Sequence, residues 1–313
     1  TENQLIKIIN SIKSKWSSGY DDIPTKIIKD AKWAILKPLL HVINSCLISG
    51  IFPPQLKISK IIPLYKKGSK KDPSNYRPLS ILPSFSKFFE KSMLVQLTDY
   101  FEKNNLFDRE QHGFRQNKST ITAIVSCIDN IIDKLDAGDQ TVTAFLDLTK
   151  AFESVSHPKL LEKLISYGIT GKDLALIKSY LSDRQQLVET PYTIKNKVLK
   201  IKSRAQEIKY SVPQGSVLGP FLFLCYIGKL PTCLSDLTIK SNICMFADDI
   251  NITISNNNKN NIFPDLETAV NTVNNQLNNL NLLLNKNITT FIKFSCRRSN
   301  LSDTSNNQNI PFK

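Results

Sequence analysis

The stretch Asn242-Ile243-Cys244-Met245-Phe246-Ala247-Asp248-Asp249-Ile250-Asn251-Ile252-Thr253-Ile254 decides how this chain is read. Its first half is mostly apolar. Its second half alternates, with Ile250, Ile252 and Ile254 sharing one side. An apolar run and a period of two are both marks of strands packed on a core. The join is an acidic pair, so the pattern is strand, tight turn, strand. An Asp in a turn is ordinary, because its side chain bonds the nearby backbone. Two adjacent Asp between buried strands are harder to explain, since unpaired charge near a core is costly.

A second element ends the same way. Val142, Ala144 and Leu146 face one side, while Thr143, Phe145 and Asp147 face the other, which reads as a strand closing on Asp147. Two readings of the three carboxylates stand side by side. In one, they serve turn geometry only. In the other, they bind divalent cations, which offset the repulsion. Mg²⁺ takes a few carboxylates plus water and phosphate oxygens. A two-metal site of that kind runs in-line phosphoryl chemistry.

Around these strands the chain is mixed. Helical spacing recurs at Leu5, Ile8, Ile9 and Ile12, and again from Ile35 to Leu47, where Gly50 and Pro53-Pro54 stop it. Residues 61–65 and 77–81 read as two extended segments, with Lys66, Lys67, Lys70 and Lys71 in the loop between them. Residues 84–100 read as a helix. The clearest helix is 120–135, whose Ile121, Ile124, Val125, Ile128, Ile131, Ile132 and Leu135 form one stripe capped by Ser119 or Thr120. Pro158 opens a further helix, and another spans about 173–181. Residues 185–210 read as a basic hairpin that includes Lys195. An Asn-rich stretch, 255–287, keeps helical spacing at Val270, Val273, Leu277 and Leu280.

Composition narrows the class. The chain has 313 residues, 41 Lys and Arg against 27 Asp and Glu, and a formal net charge of +14. That excess favours an anionic partner such as nucleic acid, nucleotide phosphates or a membrane surface. The longest apolar run, Phe221 to Ile227, is far short of the roughly 18 residues a spanning helix needs. Six dispersed Cys and three His lack the spacing of a zinc site or of a disulfide scaffold. An intracellular globular protein is expected.

The motifs, taken in order, resemble one family. Asn75-Tyr76-Arg77-Pro78-Leu79-Ser80 comes first, then Gln111-His112-Gly113-Phe114-Arg115 with Ser119-Thr120. Phe145-Leu146-Asp147-Leu148-Thr149-Lys150-Ala151-Phe152 follows, then Val212-Pro213-Gln214-Gly215-Ser216, and last Phe246-Ala247-Asp248-Asp249. The series resembles the reverse transcriptases of non-LTR, LINE-type and jockey-like retrotransposons, over roughly residues 15–294.

That resemblance implies an α+β fold in the right-hand polymerase arrangement. Helix-rich fingers would accompany a palm whose antiparallel sheet carries the Asp. The boundaries expected are 1–138 for N-terminal helices and fingers, and 139–294 for the palm with an inserted fingers segment at about 158–210. Residues 295–313 would be a disordered tail or the start of a truncated thumb, so that the thumb is largely absent.

The implied activity is that of an RNA-directed DNA polymerase, joining dNTPs to a primer 3′ hydroxyl. Asp147, Asp248 and Asp249 would be catalytic and hold two Mg²⁺ ions, with Mn²⁺ as an alternative. Lys66 and Arg77 would take the β- and γ-phosphates. Phe152 would be the steric gate against a ribose 2′ hydroxyl, and Gln214 and Gly215 would line the nascent base pair. The implied partners are an RNA template, a DNA primer or nicked target DNA, and dNTPs. No membrane and no protein partner is indicated. The resemblance places the protein in the nucleus or a cytoplasmic ribonucleoprotein.

Three positions depart from the family pattern. Glu153 replaces Asp after the gate aromatic. Ser211 stands where Gly usually precedes Val212. Ile288 precedes Thr289 where the family has a Lys thought to protonate the departing pyrophosphate; Lys286 is the nearest substitute. Ile288, the Asn-rich stretch and the largely absent thumb keep a second reading open: a truncated, catalytically weak or inactive nucleic-acid-binding remnant.

Overall fold

The computed structural model describes residues 1–194 and 197–295. The chain separates into two units, each built from two stretches. One is Thr1–Asn104 with Ser156–Leu222; the other is Asn105–Val155 with the chain from Phe223 onward. Helix α5 (Thr120–Asp136) packs on strands β3 (Gln140–Leu146) and β8 (Ser241–Phe246) within the second unit. The 295–313 segment expected as a tail falls, beyond Ser295, outside the described residues.

In the first unit, α1 (Glu2–Ser11) opens on a capping box between Thr1 and Gln4. Short α2 (Thr25–Asp30) leads to α3 (Lys32–Ser49), which ends where Gly50 turns left-handed at φ +71°. Next come α4 (Ser84–Lys103), α6 (His157–Ser166), with Pro158 in its first turn, and α7 (Gly171–Leu181). An edge-on cluster of Phe52, Phe89 and Tyr180 lies in the core these helices share, with Phe52 and Tyr180 rings 5.0 Å apart.

The sheet of this unit runs β2 (Tyr76–Ile81), β1 (Ile58–Tyr65), β5 (Arg184–Ile194), β6 (Lys197–Lys202), with β7 (Gln206–Ile208) also on β5. The predicted hairpins are present, and the Lys66–Lys71 loop joins β1 to β2. A parallel pairing of β1 with β5, from Ile58↔Gln185 to Ile61↔Val188, joins them into one sheet. Lys195 of the predicted basic hairpin lies outside the described residues.

The second unit carries an antiparallel sheet in the order β11 (Thr290–Phe294), β3, β9 (Asp249–Asn256), β8. Val142, Ala144, Leu146, Ile250, Ile252 and Ile254 are all buried, as their alternation predicts. Each Val, Leu or Ile among them is worth about 1.5–3 kcal/mol, and the Ala144 methyl about 0.8 kcal/mol. Helix α9 (Ile262–Asn279) packs on β3 and β9 through Leu266, Val270, Val273 and Leu277. A two-residue ladder pairs β4 (Leu148–Thr149) with β10 (Leu283–Leu284). Buried α8 (Gly219–Ile227) holds the apolar Phe221–Ile227 run, and the two units divide within it. Among the described residues, no helix is long and apolar enough to cross a membrane.

Helix α5 forms where its periodicity predicts, with Ser119 and Thr122 as its capping box. Its apolar stripe does not face the sheet. Ile121, Ile124, Val125, Ile128 and Ile132 are exposed, and the buried positions are Ala123 and Ile131. The small Ala123 and Cys127 set the helix close to the sheet: Cys244 Sγ reaches Ala123 O at 3.6 Å.

Candidate active site

The three carboxylates meet at one end of the second sheet. Asp147 follows β3 directly, and Leu146 pairs with Ile250. One step further along that antiparallel register sets Asp147 opposite Asp249, the first residue of β9. Phe246 pairs with Asp249 across the hairpin, which leaves Ala247 and Asp248 as the two turn residues. Burial pushes the Asp249 carboxyl up from its ordinary value, and the charges of Asp248 and Asp147 push it further. The three groups therefore feel one another.

The turn is held from outside the hairpin. Ala247 takes a left-handed φ of +57°, which is strained for a residue with a Cβ. Gln111, 3% exposed, secures it. Its Oε1 accepts from Ala247 N at 2.9 Å and from Gly113 N at 2.7 Å, and its Nε2 donates to Ala247 O at 3.2 Å. The Gln111 segment also runs alongside β8: Met245 N donates to Glu110 O, and His112 N to Met245 O. Gly113 permits this, since a Cβ there would lie 2.2 Å from Ala247 N. Sequence reading placed Gln111 in a motif but gave it no role.

Asp147 is anchored through its backbone as well. Asn285 N donates to Asp147 O at 2.8 Å, beside the β4–β10 ladder. This ties the 285–289 turn, with exposed Ile288, to the carboxylate end of β3. Phe152, a few residues on, stacks on Phe223 with ring centres 4.6 Å apart and meets Phe114 edge-on at 6.3 Å.

The other candidates lie in the first unit. Leu64 pairs with Arg77, and Lys66 N donates to Asn75 O, so the register sets Lys66 and Arg77 on one face of the β1–β2 hairpin. Both side chains are exposed. Tyr65 and Tyr76 pack edge-on, and Lys70 Nζ lies 5.7 Å over the Tyr65 ring. Gln214 and Gly215 sit in the loop before α8. Gln214 O accepts from Ser80 N of β2 at 3.0 Å. Gly215 has φ +104°, and a Cβ there would meet Ser80 O at 2.6 Å, so only Gly fits. Ser211 turns left-handed at φ +88°, and its carbonyl contacts His157 Nε2 at 2.8 Å. Burial holds the His157 imidazole below its usual pKa. In the second unit, Arg115 lies over the Phe107 ring and donates to Asp108 O at 3.0 Å.

The donor set suits a hard cation: oxygen ligands only, with repulsion at Asp249 that a cation would relieve. Among the described residues, no group of three or more carboxylate, imidazole or thiolate side chains is placed to hold a metal ion by itself. Mg²⁺ usually takes only one or two carboxylates and completes its shell with waters and substrate oxygens.

The α+β fold, with carboxylates gathered at one end of an antiparallel sheet, is that of a right-hand polymerase. A solved apo telomerase from Candida Tropicalis, truncated from its C-terminal domain, shares the fold: TM-score 0.54, 13% identity, 85% of this chain and 56% of that one. Residues 65–304 match the reverse transcriptase (RNA-dependent DNA polymerase) family, and the chain belongs to it. Reverse transcriptases normally use divalent metal ions.

Its relatives in Drosophila melanogaster include the probable RNA-directed DNA polymerase from transposon BS, 29% identical over 81% of this chain and 28% of that protein. The corresponding X-element polymerase is 30% identical over 80% and 27%. The RNA-directed DNA polymerase from mobile element jockey is also 30% identical over 80% and 27%. The chain thus spans under a third of these relatives' length.

Proposed function

We propose that this chain is the polymerising part of a non-LTR retrotransposon reverse transcriptase, an RNA-directed DNA polymerase that extends a DNA primer with dNTPs. The observation that carries this is the register placing Asp147 opposite Asp249 with Asp248 in the adjoining turn. The family match and the relatives' names support it.

Asp147 and Asp248 would hold two Mg²⁺ ions, with Mn²⁺ as an alternative and Asp249 as third carboxylate. When bound, they supply activation of the primer 3′ hydroxyl and charge stabilisation on the phosphates. The chain's own residues do the rest. Arg77, as a bidentate fork, and Lys66, as a point charge, would take the β- and γ-phosphates. Phe152 would exclude a ribose 2′ hydroxyl, and the Phe223 ring beneath it fixes its plane. Gln214 and Gly215 would line the nascent pair. The partners are then an RNA template, a DNA primer or nicked target DNA, and dNTPs. The nucleus or a cytoplasmic ribonucleoprotein is the setting this implies. The first unit would supply the fingers and the second the palm.

Ile288 gives a specific reason to keep the inactive-remnant reading in view. It is 56% exposed in the turn tied to Asp147 and has no proton to donate. Losing one general acid slows such chemistry by about 10²–10⁴ without abolishing it. Primer extension on an RNA template with Mg²⁺ separates the two. Slow incorporation of dNTPs is expected; template binding with no incorporation selects the remnant.

A further inference from the structure

Glu90 stands in the middle of α4 and is 0% exposed. A carboxylate there is costly unless its oxygens are bonded. One oxygen, Oε1, accepts from Ser86 Oγ at 2.7 Å, one turn back on the helix. The other leaves the helix altogether: Oε2 accepts from Val217 N at 2.6 Å and Leu218 N at 3.2 Å. Those amides belong to the loop that carries Gln214 and Gly215.

The loop's own bonds at this end, Ser216 N to Pro213 O at 3.0 Å and Gly219 N to Ser216 Oγ at 2.9 Å, flank the two amides that Glu90 takes. The loop makes no strand, so its N–H groups need partners from elsewhere. On its far side Gln214 O and Gly215 lie against Ser80 of β2. Arg184, 1% exposed at the start of β5, supplies a buried positive charge. Its Nη1 donates to Tyr180 O at 3.1 Å, and the guanidinium lies 4.8 Å over the Tyr180 ring. Burial pushes the Glu90 carboxyl up; the Ser86 bond, the Arg184 charge and the two loop amides oppose that.

We propose that Glu90 is a positioning residue for base-pair selection: its buried carboxylate pins Val217 and Leu218, and so sets where Gln214 and Gly215 meet the nascent pair. This rests on the polymerase reading for its consequence, though not for the pinning itself. A merely structural Glu90 would change stability alone. A positioning Glu90 changes the order of this loop and the choice of nucleotide.

Two variants at similar volume separate the roles. Glu90→Met removes both acceptors, whereas Glu90→Gln keeps an oxygen able to accept from both amides. In Glu90→Met, backbone deuterium exchange at Val217 and Leu218 should accelerate about tenfold, the scale of one lost net hydrogen bond. The ratio of kcat/KM for paired over mispaired dNTP should fall about tenfold too, chiefly through KM. Glu90→Gln should restore most of both. A folded Glu90→Met with wild-type exchange and wild-type discrimination overturns the proposal, as does a Gln variant no better than Met. Should Glu90→Met not fold, Ser86→Ala frees Oε1 alone and should shift exchange in the same direction by less; no shift overturns it. Wild-type chain that extends no primer overturns the polymerase reading instead, and amide exchange still decides whether Glu90 holds the loop.

Discussion

Ala247 carries its Cβ through a left-handed turn immediately before Asp248, and one amide side chain keeps it there. Gln111→Leu would leave Ala247 N, Ala247 O and Gly113 N buried without their partner. Each such loss costs about 1–3 kcal/mol. Urea unfolding should show a drop of about 3 kcal/mol or more, and single-nucleotide incorporation should lose kcat. A variant with unchanged kcat would show that the turn needs no clamp. Ser211 is the opposite case, a residue with a Cβ at φ +88°. Ser211→Gly should raise stability by about 1 kcal/mol, because Gly takes that angle freely; a lower unfolding midpoint would contradict this. The bond to His157 uses the Ser211 backbone and survives the change. The Asp residues were legible in sequence because charge at the end of an apolar strand stands out. Gln111 was not, since its partner Ala247 lies 136 positions away and offers only main-chain atoms.

Elements were legible wherever a local signal marks them. The capping box at Ser119, Pro158 in the first turn of α6 and the left-handed Gly50 all sit where the sequence predicts. The orientation of α5 was not legible. Its apolar stripe predicts a buried face, yet the sheet it meets offers Thr143, Cys244 and Thr253, small and partly polar. Close approach through Ala123 and Cys127 then wins over the stripe. The parallel β1–β5 pairing was also hidden, because it joins segments far apart in the chain. The β1–β2 hairpin carries its own test. If Lys66 and Arg77, on one face of the hairpin, form the proposed phosphate clamp, Arg77→Ala should raise the dNTP KM by about tenfold or more, the value of one charge-assisted bond. Arg77→Lys should recover only part of that, lacking the bidentate fork. Steady-state kinetics with primer–template affinity measured separately decides it; an unchanged KM removes Arg77 from the clamp.

For the whole molecule, the net charge of +14 pointed to an anionic partner without saying which. The ordered motifs supplied the family, and the fold agrees with it. The division into units was the part composition could not give. The strand ending at Asp147 pairs with the strand beginning at Asp249 across about a hundred residues, so the second unit must be built from two stretches of chain. Binding to nucleic acid through net charge weakens steeply with salt, so activity comparisons belong at one ionic strength. The most direct measurement is Mg²⁺-dependent primer extension on an RNA template by the wild-type chain and by Asp248→Asn. The substitution keeps shape and removes one charge. Incorporation by the wild type that vanishes in Asp248→Asn, with template–primer binding retained, is the result the carboxylate site requires. Equal incorporation by both would show that the chemistry does not run through Asp248.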